Sequence, residues 1–351
     1  MTTQVVSPTK NATSTVAPVV EFDLKEEKSL VWRLDIFFLT IGFLGYAFKY
    51  LDQTNISNAY VSGMETDLKL YGNELNYFTT FFKFMAYVFL SGFSKAQLGP
   101  DILPSSGQYF NSSQKSCMLT LQSSQWYLPH EMALRMSLYN IAQPVGAMLS
   151  GAMQGALSTN LEGALGRTGW RWAFIINGVC TIFIALLAFI FLPGFPDRPN
   201  PLARFYLRPQ DIVVAEERTR RISRDPQLGI NLKTFLRCFK FWHVWLFSIA
   251  WSIGTNTTPS NYFNLWLKSL KNADGSLKYS VGMLNYLPIA GQALQLVAEL
   301  LFSGFSDYLG TRLPFLLLHS VINITSLIIL IIRPESESAY MAGWYMNYVG
   351  A

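Results

Sequence analysis

Apolar positions run through this chain in stretches of membrane-crossing length, with polar residues gathered between them. The first stretch, about Leu34 to Asn55, carries no charge from Ile36 to Phe48 and is long enough to cross about 30 Å of hydrocarbon as a helix. A second, Tyr77 to Phe93, is short and aromatic, with Lys83 near its middle, which makes it a marginal span. Ser94 to Gln125 turns into Ser, Gln, Gly and Pro with no sustained apolar run. Leu128 to Arg135 reads as a short loop and helix start. It leads into a Gly-, Ala- and Ser-rich span from Met136 to Leu157, in which Pro144 is expected to kink or break the helix. Trp170-Arg-Trp172 then anchors an interface and Ala173 to Leu192 spans.

The proline-rich stretch Pro193 to Pro201 stops that helix. Phe241 to Trp251 opens a further span, and the polar run Ser252 to Ser260 after it reads as a cavity wall or a broken helix. Tyr279 to Phe302 and Leu313 to Ile332 span again, joined by a tight polar loop over Ser303 to Arg312. The apolar element from Ala339 onward is too short to cross.

Composition sharpens this picture. Half of the 351 residues are hydrophobic, 14% are charged and the mean hydropathy is +0.23, too apolar a mixture for a soluble domain of this size. The net charge of +5 does not point to nucleic acid, because ten of the Lys and Arg residues lie between Arg198 and Lys240. Such an excess beside apolar spans marks a cytoplasmic loop. Within it, Gln210 to Ser223 is expected as a surface helix or, more simply, a solvated linker. Alternation from that loop puts the N-terminus inside, the turn after Asp52 outside and Ser306 to Arg312 inside. Four sections follow: a disordered cytoplasmic tail over 1–33, a transmembrane lobe over 34–192, a basic linker over 193–240 and a second lobe over 241–351.

Polar residues inside the spans carry the candidate chemistry. Asp52 closes the first span, and an Asp near a helix centre costs roughly 2.5 to 3.5 kcal/mol on insertion scales, so it asks for a pathway, a partner or a proton. Gly42, Gly45, Lys49 and Asp52 share one helix face; the alternative is a snorkelling Lys49 and a helix end already among headgroups. Asn140, Gln143, Ala147, Gly151 and Gln154 share another face, where Gly151 and Gly155 form a GxxxG whose default role is close packing. Pro288, Gln292, Gln295 and Glu299 form a polar stripe that should face the bundle interior or water. No triad spacing, phosphate loop or metal-ligand set appears, so an enzyme finds no support and no cofactor is expected. His319 and Asn323, one turn apart, are poor evidence for a metal.

Tyr50-Leu-Asp-Gln-Thr-Asn-Ile56, Asn58 to Met64, Gly169-Trp-Arg-Trp172, Leu192 to Asp197, and Tyr279 to Val281 with Asn285 and Pro288 resemble the fungal allantoate permease group of the major facilitator superfamily. Within these anion:cation symporters, the likeness is greatest to pantothenate transporters. The resemblance covers 30–82 and 126–351. It implies an all-α integral membrane fold of two helical lobes and alternating access. It also implies proton-coupled uptake of a small organic anion across the plasma membrane, by a monomer that uses the proton gradient as its energy source. Gly304, Asp307 and Arg312 would belong to the cytoplasmic gating loop of the second half. The segment 84–125 departs from the pattern, and about seven to eight spans stand where twelve are expected, which reads as a truncated or mis-assembled frame.

For proton coupling the resemblance leaves Asp52 and Glu299 as candidates. Gln53 stands where the wider family commonly carries an Arg, so attraction of the anion falls to Lys49. Gln53, Asn55, Gln143, Gln154, Asn256, Gln292 and Gln295 would line the substrate path as neutral hydrogen-bonding groups. Pantothenate is the favoured substrate, with biotin, nicotinate and allantoate as alternatives. A membrane sensor or scaffold that does not transport is the second class of function.

Overall fold

The computed structural model describes residues 24–70, 72–77, 126–196, 198–221, 237, 239–256, 259–311 and 313–350. The marginal span at Tyr77 to Phe93 and the Ser/Gln-rich segment therefore lie almost wholly outside the described residues. Helix α1 (Leu24–Leu34) runs through a π-helical turn (Asp35–Leu39) into α2 (Thr40–Ala59). A second π turn (Tyr60–Met64) follows, and the chain ends this rod in the short α3 (Glu65–Leu68). The kink falls at Gly63, whose φ of +112 suits a residue without Cβ.

The expected end of the first span near Asn55 is thus corrected. The hydroxyls of Thr54, Ser57 and Ser62 donate back to carbonyls one turn earlier, so this polar stretch stays helical and Asp52 lies well inside the rod.

Helix α4 (Pro129–Asn160) begins at Leu128, whose amide donates to Glu131 Oε2 at 3.0 Å, and it passes Pro144 without a break. Helix α5 (Gly169–Phe191) follows, started by Asp67, which accepts from both Thr168 Oγ1 and Trp170 Nε1 at 3.0 Å. A two-residue ladder, β1 (Gly194–Phe195) against β2 (Arg198–Pro199), turns the chain into the linker, where α6 (Pro209–Arg221) forms. The second half holds α7 (Trp242–Asn256), α8 (Phe263–Ser269), α9 (Val281–Leu309), α10 (Leu313–Ile332) and α11 (Glu337–Val349). Among the described residues, four helical stretches are long and apolar enough to cross a membrane: Lys25–Leu68, Gly169–Phe191, Val281–Ser306 and Leu313–Ile332.

Helix α4 is the axis of the packing, with α2 on one side and α9 on the other. Small residues allow it. A Cβ on Gly146 would meet the Ala47 carbonyl oxygen at 2.0 Å, and one on Gly151 would meet the Asn285 carbonyl oxygen at 2.9 Å. Gly155 presses on the ring of Tyr286 in the same way, so both glycines of the GxxxG are used for close approach. Outward faces of α5 and α10 expose Val179, Ile182, Phe183, Leu186, Leu316, Leu317, Val321 and Ile324, as helices facing hydrocarbon do.

Two sequence expectations need correction here. Helix α6 is not a solvated linker. Arg218 is only 4% exposed and binds Glu131 at 2.6 Å and Glu27 at 3.7 Å, while Asp211 pairs with Arg33 at 2.7 Å. The helix also buries Val214 and Ala215 against Leu30, Leu34, Trp126 and Tyr206, which closes the core at this end of the bundle. The polar loop expected from Ser303 is helical as far as Leu309: Gly304 and Asp307 belong to the last turns of α9, because Leu300, Leu301, Phe305 and Tyr308 continue its apolar run. Gly310, at φ +63, ends it. Arg312 lies outside the described residues.

Gly146→Leu should force α2 and α4 apart. Overpacking typically costs about 1–3 kcal/mol, and the 2.0 Å approach to backbone puts this site at the upper end. Thermal unfolding followed by size-exclusion fluorescence should show an earlier transition and less monodisperse protein, whereas the same change at Gly45, which faces open space, should be tolerated.

Candidate functional site

Where α2, α4 and α9 meet the start of the second half lies a small polar cavity. Thr54, Ser57 and Asn58 of α2 line it with Ala147 and Gly151 of α4. Ser260, Asn264, Asn285, Pro288, Ile289, Gln292 and Tyr348 complete it from the second half. Its volume of about 30 Å³ is room for one or two waters. None of the lining residues is charged.

Amides tie the two halves together around this cavity. Asn264 Nδ2 donates to Asn58 Oδ1 at 3.1 Å, and Asn58 Nδ2 donates to Ser150 Oγ at 3.1 Å. Asn285 Nδ2 donates to Ser62 Oγ at 2.9 Å, and Ser62 Oγ in turn donates to the Asn58 carbonyl at 2.7 Å. Interhelical bonds of this kind are worth about 0.6 kcal/mol on average in a bilayer, so they fix register more than they supply stability. Behind the cavity, Tyr348 OH and Asn347 Oδ1 hold the carbonyl and amide of Ser260, keeping the short helical turn Pro259–Tyr262 in place.

One end of the bundle is shut across the halves. Lys268 at the end of α8 pairs with Glu65 of α3 and donates to the Tyr60 carbonyl at 3.3 Å. Beneath that pair, Val61 of the first half is buried among Phe263, Leu267, Leu284, Trp344 and Tyr348 of the second. Beside it, Lys278 and Tyr279 bind Glu337 and hold its carboxyl below the usual carboxylate range. The opposite end carries the linker helix and the two-pronged ion pair of Arg135 with Asp35, at 2.7 and 2.6 Å.

The residues singled out from sequence fall in several places. Gln292 and Pro288 line the cavity, and the stripe continues inward to Gln295, which donates to Glu299 Oε1 at 3.1 Å. The other Glu299 oxygen is buried with no hydrogen-bond partner. Asp52 turns toward α5, where Thr181 donates to it at 3.0 Å. Lys49 lies over the rings of Tyr46 and Tyr50, 4.9 and 4.6 Å from their centroids. Asn55 and Gln154 are fully buried beside the cavity's helices but do not line it, and both carry unpartnered amide atoms. Gln53 and Gln143 are half-buried, and Asn256 sits at the last residue of α7. Sequence reasoning missed Asn58, Asn264 and Asn285 as site residues. The signal for one of them was present, since Asn285 extends the Pro288 stripe by one turn.

A family profile of the Major Facilitator Superfamily matches residues 119–350. The chain belongs to that superfamily. With its apolar helices, it is an integral membrane protein of transporter type. It is 29% identical to a pantothenate transporter of Saccharomyces cerevisiae over 78% of this chain and 59% of that protein. A pantothenate transporter of Schizosaccharomyces pombe is 30% identical over 92% of this chain and 67% of its own length. An allantoate permease of Saccharomyces cerevisiae is 23% identical over 95% and 67%. The facilitator thus spans about six-tenths of the length of the first of these relatives. No solved structure matches it.

Closure across the halves is open to direct measurement. With Glu65→Cys and Lys268→Cys combined in a background freed of native cysteines, a short bis-methanethiosulfonate linker should join the two positions in membranes. Glu65→Cys with Arg221→Cys, at the opposite end of the bundle, should give little product, and equal labelling of both pairs would show that this end does not close as described.

Proposed function

We propose that this facilitator is a proton-coupled secondary transporter of a small organic anion, most simply a vitamin acid such as pantothenate, working by alternating access. The observation that carries the reading is the uncharged polar cavity at the junction of the halves, shut at one end by Glu65 and Lys268. A site at the junction of two helical halves reaches one side of a membrane and then the other when the halves rock. The basic linker gives the orientation: the Arg218 end is cytoplasmic and the Lys268 end faces out, at the plasma membrane.

The two roles of a symporter are divided between separate groups. Lys49 attracts the carboxylate. It lies five residues before Thr54, about 7–8 Å along the helix axis, so a ligand held there reaches the cavity with its other end. Asp52 and Glu299 are the proton carriers. Asp52 accepts from Thr181 and Glu299 from Gln295, and neither of these neutral donors opposes protonation as a cation would. The names of the pantothenate transporters and the allantoate permease support an acid bearing hydroxyl, amide or ureido groups.

Asp52→Asn should abolish acid-driven accumulation of pantothenate in proteoliposomes while leaving counterflow between preloaded and external substrate. Acid stimulation that survives the substitution removes Asp52 from coupling. Failure of the unaltered chain to restore growth of a vitamin-uptake mutant host on limiting pantothenate, biotin or allantoate would count against transport itself.

A further inference from the structure

Several polar atoms around the cavity offer only lone pairs. Asn285 is fully buried and spends its amide hydrogens on Ser62 Oγ and the Val281 carbonyl, both at 2.9 Å, which leaves its Oδ1 with no partner. Thr54 and Ser57 donate their hydroxyl protons to carbonyls of their own helix, so only lone pairs remain on those oxygens. Tyr348 gives its proton to the Ser260 carbonyl and hydrogen-bonds Gln292. Asn58 and Asn264 each commit one amide hydrogen and keep one. Among the described residues, no cation lines the space. A carboxylate placed there would find no counter-charge among them and only the spare amide hydrogens, whereas a hydroxyl or N–H would satisfy an acceptor, Asn285 Oδ1, that none of the described residues satisfies.

We infer that this cavity is the subsite for the hydrogen-bond-donating end of the substrate, a hydroxyl of a hydroxy-amide acid or an N–H of a ureido acid received by Asn285 Oδ1, with the carboxylate held elsewhere. The inference rests on the transport reading and narrows it. Hydroxy-amide acids and ureido acids fit; an aromatic acid without a donor, such as nicotinate, does not. Asn285 is then a specificity-determining residue, and the water-sized space is where the donor group replaces water as the halves part and re-close around it.

The test is displacement of radiolabelled pantothenate from the full chain in nanodiscs. The competitors are pantothenate itself, N-(3,3-dimethylbutanoyl)-β-alanine, which is the same acid without its two hydroxyls, and nicotinate. The dideoxy acid should compete about ten-fold less well or worse, and nicotinate should not compete, because a site with a buried acceptor rejects the analogue that lacks the donor. Asn285→Ala should shrink the gap between pantothenate and its dideoxy analogue to less than about three-fold. Ser62→Ala breaks the same Asn285 contact from the other side, and should keep the gap whatever happens to absolute affinity. A dideoxy acid equal to pantothenate on the unaltered chain, or a gap that persists in Asn285→Ala, overturns the inference. If biotin binds in place of pantothenate, its ureido N-methylated derivative is the matched competitor with the same criteria. Absence of saturable binding by pantothenate, biotin and allantoate alike sinks the transport reading and the inference with it, whereas binding without discrimination sinks the inference alone.

Discussion

The close approach of α4 to its two neighbours is the constraint on which the rest depends. Lipid tails are as apolar as leucine, so helices in a bilayer gain little from hydrophobic exclusion and associate through packing and short polar contacts. At Gly146 and Gly151 the backbone of α4 comes against the carbonyl oxygens of Ala47 and Asn285, nearer than any side chain would allow. Only at such separations can short groups bridge between elements, as Asn58 does to Ser150, and only then does the space left beside them shrink to the size of a water. Larger residues on α4 would replace the cavity with a wider, lipid-accessible seam.

Charge is distributed to suit that interior. The ion pairs of Arg135 with Asp35, which is two-pronged, and of Arg218 with Glu131 lie at the linker end, while Glu65 with Lys268 lies at the other. Between them the junction of the halves is built from amides and hydroxyls. Neutral groups suit a surface that must separate and re-form, because breaking a buried ion pair leaves charges that cost about 3–5 kcal/mol, whereas an amide pair costs about 0.5–1.5 kcal/mol. Asp52, Lys49 and Glu299 are exceptions along the spans; Asp52 accepts from Thr181 of a neighbouring helix and Glu299 from Gln295 of its own.

Much of the fold was legible as apolar runs, and the boundaries that were misread share a physical cause. Leu313 to Ile332 matches α10 because its apolar run extends from one end of the helix to the other, broken only by short polar side chains and His319. The polar run from Asp52 to Ser62 looked like an exit from the membrane, yet its hydroxyls turn back to their own backbone and Asn58 reaches across, so the helix continues. The burial of α6 was not legible at all. Its anchors Glu27 and Glu131 lie far away in the chain, and a run of Arg and Glu has the same appearance whether solvated or docked. The cavity was half legible. The stripe through Pro288 and Gln292 was read from helical spacing, but Asn264 meets Asn58 across 206 residues, a pairing that no local pattern encodes.

The two ends of the bundle also differ in what they join. Every strong contact of the linker helix is made to the first half: Arg218 and Arg221 to Glu27, Arg218 to Glu131, Asp211 to Arg33, with Tyr206 reaching the Phe191 carbonyl and Trp126 the Gly194 carbonyl. Among the described residues, this end is therefore tied to the first half and places no ion pair between it and the second. The Lys268 end is the reverse: its ion pair, the burial of Val61 and the Asn58–Asn264 and Asn285–Ser62 bonds all cross between halves. In the proposed rocking of the halves, the bonds that must break are thus concentrated at one end, beside the cavity, and a ligand engaging Asn285 would act directly on a residue that bridges the halves.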